Sequence, residues 1–329
     1  MLRRKPLTPS VRSHLRTALI LLLAGGLLAW FLSSADLREV WREIRRARAD
    51  MLALGLVVTL LTYVLRALRW QYLLRPIGRT SFVNAFRATV IGFAATFLLP
   101  ARAGEFLRPY LLARREGLSA TAAFATIILE RLLDTITVLL LFASFVLAFD
   151  PGMGAVDARV YGAIKAGGLA VAVISVLTFG ALYYLAGHPA SLQATVALVE
   201  RSVPGRIGGA VARLVKLFTE GLATVRQPGR LLVAVALSFP LWLSIATSVW
   251  AGTLAFHIEM PYTGSFLLMA LLVVGVAVPT PGAVGGFHQA YRIGVTSFYA
   301  APNDRAVGAA LVLHAISFLP VTIIGIFFL

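Results

Sequence analysis

Long runs of apolar residues alternate with short polar stretches along this chain. Five runs, at residues 51–74, 120–149, 161–186, 231–256 and 306–329, are each long enough to cross about 30 Å of hydrocarbon as a helix. A sixth apolar run occupies residues 17–32 and follows a basic tail. The pattern predicts an all-α polytopic membrane protein with about six spanning helices.

The first apolar run, residues 17–32, leaves two interpretations open. A basic tail before an apolar run is typical of a secretory signal peptide, and the small residues at 33–35 fit a cleavage site. An uncleaved signal anchor shows the same basic tail. We expect the uncleaved anchor helix, with its N terminus in the cytoplasm.

Two further stretches have one apolar and one charged face. In residues 36–50, Leu37, Val40, Trp41 and Ile44 recur at helical spacing, with arginine and glutamate between them. This pattern predicts an amphipathic helix at the membrane interface, with a solvated helical loop as the alternative. A similar alternation over residues 186–231 predicts a pair of surface helices in the cytoplasm.

Two shorter apolar segments end in helix-breaking residues. Residues 82–99 run into Pro100 and Gly104, and residues 265–278 run into a stretch rich in proline and glycine. The breaks in the second stretch are Pro281, Gly282 and Gly285. Irregular backbone at membrane depth is tolerated only inside protein or beside a watery cavity. Both segments are therefore predicted to be re-entrant hairpins made of two half-helices.

The two broken segments resemble each other. When Pro100 is aligned with Pro281, the further identities are Gly104 with Gly285, Phe106 with Phe287 and Tyr110 with Tyr291. Each broken segment also lies between two long apolar runs, which predicts a repeated unit of span, broken hairpin and span. The units are residues 51–149 and 231–329 of a single transmembrane domain. Residues 1–50 form the N-terminal anchor and interfacial helices, and residues 150–230 connect the units.

If the N terminus is cytoplasmic, counting the membrane crossings predicts that the first hairpin enters the membrane from the cytoplasmic side. The second hairpin is then predicted to enter from the outer side. The repeats are then inverted, as in many transporters. Loops assigned to the cytoplasm hold about 20 Lys and Arg against about 9 outside, as the positive-inside rule requires. We therefore expect a multi-pass protein of the cytoplasmic membrane with both termini in the cytoplasm.

Composition excludes several classes of protein. Of 329 residues, 59% are apolar and only 13% are charged. A soluble enzyme or a disordered chain needs a larger share of polar residues than this. There is no cysteine, so disulfides and thiolate metal sites are excluded. The net charge of +16 is nearly all arginine and favours contact with anionic lipid headgroups. Nucleic-acid binding is not expected, because no soluble basic domain carries that charge.

Ionisable residues inside an apolar run are costly and are therefore the first functional candidates. Glu130, Arg131 and Asp134 lie in the run at 120–149. Glu130 and Asp134 share a helix face, and Arg131 is spaced to pair with Asp134. One interpretation is a structural ion-pair network, and the other is a charge cluster that lines a substrate path.

The first hairpin supplies further charged candidates. Arg102, Glu105 and Arg108 follow its break, and Arg66 and Arg69 end the preceding span. Arginine suits phosphate because its planar guanidinium makes bidentate hydrogen bonds and stays charged. For Arg66 and Arg69 the alternative is an interfacial anchor that reaches the headgroup region.

The second hairpin carries neutral candidates. His288 and Gln289 follow its break and are candidates for binding a headgroup. His314 is isolated in an apolar run, which is more typical of a hydrogen-bonded core histidine. The five histidines are widely spaced and give no support for a metal site.

Several of these motifs resemble one membrane protein family. They are Ala67-Leu68-Arg69-Trp70, the P-x-R-x-G-E pattern from Pro100 to Glu105, the E-R-x-x-D pattern from Glu130 to Asp134, and the P-x-P-G-x-x-G pattern from Pro279 to Gly285. Together they resemble the lysylphosphatidylglycerol synthase transmembrane-region family over residues 17–329. The resemblance implies lipid translocation across the cytoplasmic membrane.

Two departures from the family pattern bear on the substrate. The sequence contains no soluble aminoacyl-transferase domain of the kind found in the two-part members, so lysyl transfer to lipid is not expected of this chain. Many members also carry asparagine shortly before the hairpin proline, where this chain has Thr96 and Phe97. The headgroup is therefore left open by the resemblance.

These observations predict a lipid transporter that moves a phospholipid or other anionic-headgroup lipid without ATP hydrolysis, since the sequence has no P-loop. No cofactor and no metal are expected. The alternatives are a membrane enzyme acting on lipid-linked substrates, with Glu105 or Glu130 as general base, and a non-catalytic scaffold for a separate lipid-modifying enzyme. The oligomeric state is left open.

Overall fold

The computed structural model describes residues 11–99, 102–148, 158–188, 190–191, 194, 197, 228–277 and 280–329. These residues are helical apart from short turns and connections, which confirms the all-α membrane class that the apolar runs predict. Pro100, and most of the predicted surface helices at 186–231, lie outside the described residues.

The helices follow the apolar runs closely. In chain order they are α1 (Val11–Leu32), α2 (Leu37–Arg46), α3 (Ala49–Leu74), α4 (Phe82–Leu98), α5 (Gly104–Glu116), α6 (Ala120–Ala148), α7 (Ala158–Gly187), α8 (Pro228–Ala255), α9 (Gly264–Ala277), a 3₁₀ turn (Pro281–Ala283), α10 (Gly286–Tyr299) and α11 (Asn303–Phe327). Among the described residues, α3, α8 and α11 are long and apolar enough to cross a membrane. The count of six spans therefore stays a prediction.

The helices α3 and α8 are antiparallel and pack extensively against each other. The hydroxyl of Thr59 lies 2.8 Å from that of Ser248, and the hydroxyl of Thr62 lies 2.8 Å from that of Ser244. Small and hydroxylated side chains let two helix backbones approach closely and bond to each other where lipid supplies no hydrophobic driving force. These contacts fix how the two helices are rotated and shifted against each other.

The first hairpin consists of α4 and α5, which pack in antiparallel fashion. At the open end, Asn84 donates a hydrogen bond of 2.8 Å to the carboxylate of Glu116. Near the tip, Gly92 lies against Gly104, where a Cβ on Gly104 would collide with the Gly92 carbonyl oxygen. Glycine is required at Gly104 because the two backbones touch.

The second hairpin, α9 and α10, has the same design. Gly275 lies against Gly286 near the tip, and Gly264 lies against the ring of Tyr299 at the open end. The tips of the two hairpins meet inside the bundle, since a Cβ on Gly282 would lie 3.9 Å from the carbonyl oxygen of Phe97.

Each hairpin also packs against the long helix that follows the other hairpin. The first-hairpin helix α4 packs on α11, where Gly325 leaves room for Val90 and Ala94. The second-hairpin helix α9 packs on α6. The two halves are thus interlocked rather than placed side by side.

The predicted amphipathic stretch at 36–50 contains α2, which Asp36 caps by accepting a hydrogen bond from the backbone N–H of Arg38. Val40 and Glu43 of α2 are buried, and Glu43 forms a 2.9 Å ion pair with Arg305 of α11. Trp41 remains exposed. One face of α2 therefore packs on protein, whereas the side chain of Trp41 lies on the exposed face of the helix.

Candidate functional site

A cluster of charged side chains occupies the interior where α3, α5 and α6 meet. Its members are Arg66, Arg69, Arg108, Glu130, Arg131 and Asp134. Arg69 is at the centre: its Nη1 donates a 2.7 Å hydrogen bond to Asp134, and its Nη2 lies 3.5 Å from Glu130. The side chains of Arg69 and Glu130 are 0% exposed, so protein groups rather than water must stabilise their charges.

Arg108 ties the first hairpin to this centre. Its Nη1 donates a 2.9 Å hydrogen bond to Glu130, and its guanidinium stacks 4.0 Å from the ring centroid of Trp70. Planar guanidinium groups stack on aromatic faces, and a desolvated cation gains more from this contact than an exposed one. The orientation of α5 against α6 therefore depends on Arg108.

Four side chains surround the carboxylate of Asp134. Besides Arg69, the indole N–H of Trp242 donates a 2.8 Å hydrogen bond to it, and Arg131 lies 3.6 Å away. Arg66 approaches the same carboxylate at 3.9 Å and lies over the ring of Phe93 at 4.9 Å. A carboxylate surrounded in this way stays in place and orients the arginines around it.

The cluster has more cationic donors than acceptors. Four arginines face two carboxylates, and buried nitrogen atoms of Arg66, Arg108 and Arg131 have no hydrogen-bond acceptor among the described residues. A buried donor without an acceptor is costly, and an uncompensated buried charge more so. The site is therefore suited to an anion that supplies several acceptor oxygens.

A cavity of about 400 Å³ adjoins the cluster, between the tips of the two hairpins. Its charged lining residues are Arg66, Arg102, Glu105, Arg108, Arg131 and Asp134, with hydroxyls from Thr59, Thr62, Thr96, Thr135, Ser248 and Thr280. Its apolar lining residues include Phe93, Phe97, Val138, Trp242, Val249, Met269, Leu272, Val276 and Phe318. A ligand with an anionic end and an apolar body matches this mixed lining.

The tip of the first hairpin contributes charged residues to the lining of the cavity. Arg102 pairs with Glu105 at 3.0 Å, and both side chains are partly exposed. Arg102 has a φ of 54°, a left-handed conformation that costs a non-glycine residue of the order of 1 kcal/mol. A strained residue with a charged side chain at a cavity is a functional candidate.

The second hairpin places its candidates elsewhere. His288 and Gln289 are not among the described residues that line the cavity. The ring of His288 contacts that of His314 in a tilted arrangement, with 4.5 Å between ring centroids, and its Nδ1 accepts a 3.2 Å hydrogen bond from the backbone N–H of Gly285. His314 Nε2 donates a 2.8 Å hydrogen bond to the carbonyl oxygen of Gly282. These histidines hold the second tip in shape.

The structure sorts the sequence candidates into two groups. Arg108, Arg131 and Asp134 line the cavity, together with Arg102 and Glu105. Glu130 and Arg69 lie behind the cavity wall and brace it. Within the charged run at 120–149, Arg131 and Asp134 therefore line the cavity, whereas Glu130 belongs to the ion-pair network behind it.

Sequence reasoning left two contributors, Ser238 and Trp242, out of the candidate site. It named Arg66 and Arg69 with an interfacial anchor as the alternative for both, and their spacing of three indicates a shared helix face. Ser238 accepts a 2.8 Å hydrogen bond from Arg69, and Trp242 bonds Asp134 from the same helix. Their spacing of four on α8 was the available signal, but polar groups at this spacing are common in membrane helices.

The fold and the buried charges define an all-helical integral membrane protein with a polar and apolar cavity in its interior. Residues 17–325 match the lysylphosphatidylglycerol synthase transmembrane region family. The chain belongs to this family, which confirms the resemblance carried by its hairpin and E-R-x-x-D motifs.

Two curated proteins are similar to this chain. The UPF0104 membrane protein MJ1595 of Methanocaldococcus jannaschii is 23% identical over 137 residues, which is 41% of this chain and 40% of that protein. The glycosyltransferase AglD of Haloferax volcanii is 24% identical over 331 residues, covering 93% of this chain and 52% of AglD. The chain therefore matches about half of the length of AglD and less than half of the length of MJ1595.

Proposed function

We propose that this protein moves a lipid with an anionic headgroup from one leaflet of the cytoplasmic membrane to the other. The observation that carries the proposal is the cavity between the hairpin tips, which is lined by several arginines and by many apolar side chains. Headgroup phosphate oxygens accept hydrogen bonds from Arg66, Arg108 and Arg131. The apolar lining residues contact the first part of the acyl chains.

The energetics support a translocation role for this cavity. The main barrier to lipid flipping is the desolvation of a charged headgroup, which is costly in hydrocarbon. Guanidinium groups that already lie in the interior replace the lost water with charge-assisted hydrogen bonds. The acidic partners Glu130 and Asp134 keep these arginines oriented while the site is empty of lipid.

The architecture we propose has six spans and two re-entrant hairpins in inverted repeats. The helix α5 has 13 residues and α10 has 14, so each is about 20 Å long and too short to cross the hydrocarbon layer. Because α3 and α8 are antiparallel, hairpins that follow each of them enter from opposite ends and meet at their tips.

Backbone geometry at the tips supports the repeat. The alignment of Pro100 with Pro281 places Arg102 on Ala283, and these residues have φ angles of 54° and 57°. Left-handed backbone is rare for residues other than glycine. A shared rare conformation at aligned positions favours a common ancestry of the two hairpins and an alternating opening to each side.

The test is a lipid-translocation assay in liposomes. The purified chain is reconstituted with headgroup-labelled phosphatidylglycerol, and dithionite is added to quench the label in the outer leaflet. We expect the protected inner-leaflet signal to be lost in the presence of the protein. Arg131→Gln should slow this loss at least about tenfold, since one charge-assisted hydrogen bond to the headgroup contributes about 1.5–3 kcal/mol.

The matched control is Arg38→Gln, which makes the same charge change on the exposed face of α2, away from the cavity. The control should translocate lipid like the unchanged chain. Equal rates for the unchanged chain, Arg131→Gln and empty liposomes, for headgroup-labelled phosphatidylglycerol and for phosphatidic acid labelled on an acyl chain alike, would reject the proposal.

A membrane enzyme acting on a lipid-linked substrate is the second candidate, because one relative is named a glycosyltransferase. A general base needs a carboxylate that is free to take a proton. In this cavity Asp134 and Glu105 are both paired with arginine, which favours transport over catalysis. Formation of a new lipid product by the purified chain alone would reverse this preference. Co-purification with a lipid-modifying enzyme, without intrinsic transport, would instead indicate a scaffold.

A further inference from the structure

The charges of the buried cluster do not cancel. Arg66, Arg69, Arg108 and Arg131 carry four positive charges, and Glu130 and Asp134 carry two negative charges. Arg102 and Glu105 add a further pair at the mouth that is neutral as a whole. Among the described residues the interior site thus has an excess of two positive charges.

The hydrogen-bond inventory shows the same imbalance. Within the cluster, six arginine nitrogens are buried without an acceptor, against one oxygen each of Glu130 and Asp134 without a donor. The side chain of Arg108 is 3% exposed and that of Arg66 is 9% exposed, and both line the cavity. Four of the six unpaired nitrogens thus belong to Arg66, Arg108 and Arg131, which line the cavity.

From this imbalance we infer that the site is built for a phosphate headgroup that carries two negative charges, either a phosphate monoester or a diphosphate. The inference rests on the proposed function and specifies its substrate class. A monoanionic diester such as phosphatidylglycerol would leave one buried charge uncompensated, and a zwitterionic headgroup would leave two. In a low-dielectric interior such residual charge is penalised, so the doubly charged headgroup is preferred.

The placement of the donors supports a compact, highly charged group. The guanidinium groups of Arg66 and Arg108 lie over the same Phe93 ring, at 4.9 and 6.0 Å from its centroid. Arg131 reaches the cavity from the neighbouring helix and is the most exposed arginine of the interior cluster. Three guanidinium groups around one cavity offer more donors than a single phosphodiester oxygen pair accepts.

The experiment measures binding, so it does not depend on transport. The detergent-purified chain is titrated calorimetrically at about pH 8 with phosphatidic acid and with phosphatidylglycerol of identical acyl chains. At that pH a phosphate monoester carries nearly two charges, because its second pKa is about 6. We expect phosphatidic acid to bind at least about tenfold more tightly, and the preference to shrink at about pH 5, where the monoester loses one charge.

Arg131→Gln reduces the excess to one positive charge and should abolish the preference, whereas Arg38→Gln should retain it. Arg66→Gln removes one positive charge in the same way, but on α3. It replaces Arg131→Gln in the experiment if thermal unfolding shows that Arg131→Gln does not fold. An arm with inorganic phosphate tests the source of the anion. Competition by inorganic phosphate at the same concentration as the lipid would mean that the acyl chains add nothing and would overturn a lipid ligand.

The outcomes separate the two proposals. Equal affinity for the two lipids, or tighter binding of phosphatidylglycerol, would overturn the inferred doubly charged headgroup even if the liposome assay shows translocation. A clear preference for phosphatidic acid that Arg131→Gln removes would support it, even if no lipid is translocated and the transport proposal fails.

Discussion

Arg69 on α3 donates a 2.7 Å hydrogen bond to Asp134 on α6, and the Arg69 side chain is fully enclosed. The same guanidinium bonds the hydroxyl of Ser238 on α8. One side chain therefore connects three helices, and its charge lies behind the cavity rather than in its wall. This position separates the residues that build the site from those that face a ligand.

Loss of the central arginine should destabilise the fold. Arg69→Met leaves Glu130 and Asp134 buried with fewer counter-charges, and breaking a buried pair in this way costs about 3–5 kcal/mol. We expect a lower free energy of unfolding and a lower Tm in detergent. Arg131→Gln should change Tm much less, because the Arg131 side chain is 36% exposed. Equal losses of Tm in both variants would contradict this division of roles.

The glycine contacts inside the hairpins should be intolerant of any side chain. In Gly104→Ala the new methyl group would meet the Gly92 carbonyl, and in Gly286→Ala it would meet the Gly275 carbonyl. We expect both variants to lose most of their folded yield, as followed by size-exclusion chromatography. Gly180→Ala on α7 is the control, since open space surrounds that position. Normal yields of all three would show that the hairpins pack less closely.

At Arg102, the residue with left-handed backbone at the first tip, glycine can replace the charged side chain without adding backbone strain. Glycine adopts a φ of 54° without strain, whereas alanine retains the penalty of about 1–2 kcal/mol. Arg102→Gly should therefore be more stable than Arg102→Ala by about that amount. Both should slow lipid translocation, since the lost group lines the cavity. If the alanine variant had the higher Tm, the left-handed backbone would not exist in solution.

Cysteine labelling can test the proposed inversion, because the chain has no cysteine of its own. Arg79 lies in the loop before the first hairpin and Glu259 in the loop before the second, and both are exposed. In intact cells, a membrane-impermeant maleimide should label Glu259→Cys, whereas Arg79→Cys should react only after permeabilisation. Labelling of both sites from the same side would rule out inverted repeats.

Hydrophobic patterning alone located the helices. The run at residues 120–149 corresponds to α6 (Ala120–Ala148), and the run at 51–74 corresponds to α3 (Ala49–Leu74). A long apolar run has few alternatives, because in lipid every backbone polar group must bond within the segment. Helix breaks were equally readable, since the proline and glycine residues around positions 100 and 281 interrupt helical hydrogen bonding.

Candidate charges were also visible in the sequence, because an ionisable residue in an apolar run is rare for energetic reasons. The partners that these charges have on other helices were not visible in the sequence. Arg69 and Asp134 are 65 positions apart, and Trp242 is 108 positions from Asp134. Short-range spacing predicts pairs such as Arg131 with Asp134, which are one helix turn apart. It carries no information about which helices become neighbours.

By itself, the sequence determined the membrane class, the long helices, the breaks and the presence of charged residues within an apolar run. Only the tertiary structure decided which helix faces meet, and therefore that Arg69 braces the site while Arg66 lines it. The reason is that lipid and the protein interior are almost equally apolar, so hydropathy does not mark the face of a membrane helix that packs on protein. That choice depends on local fits such as Gly92 against Gly104, which exist only once the helices are assembled.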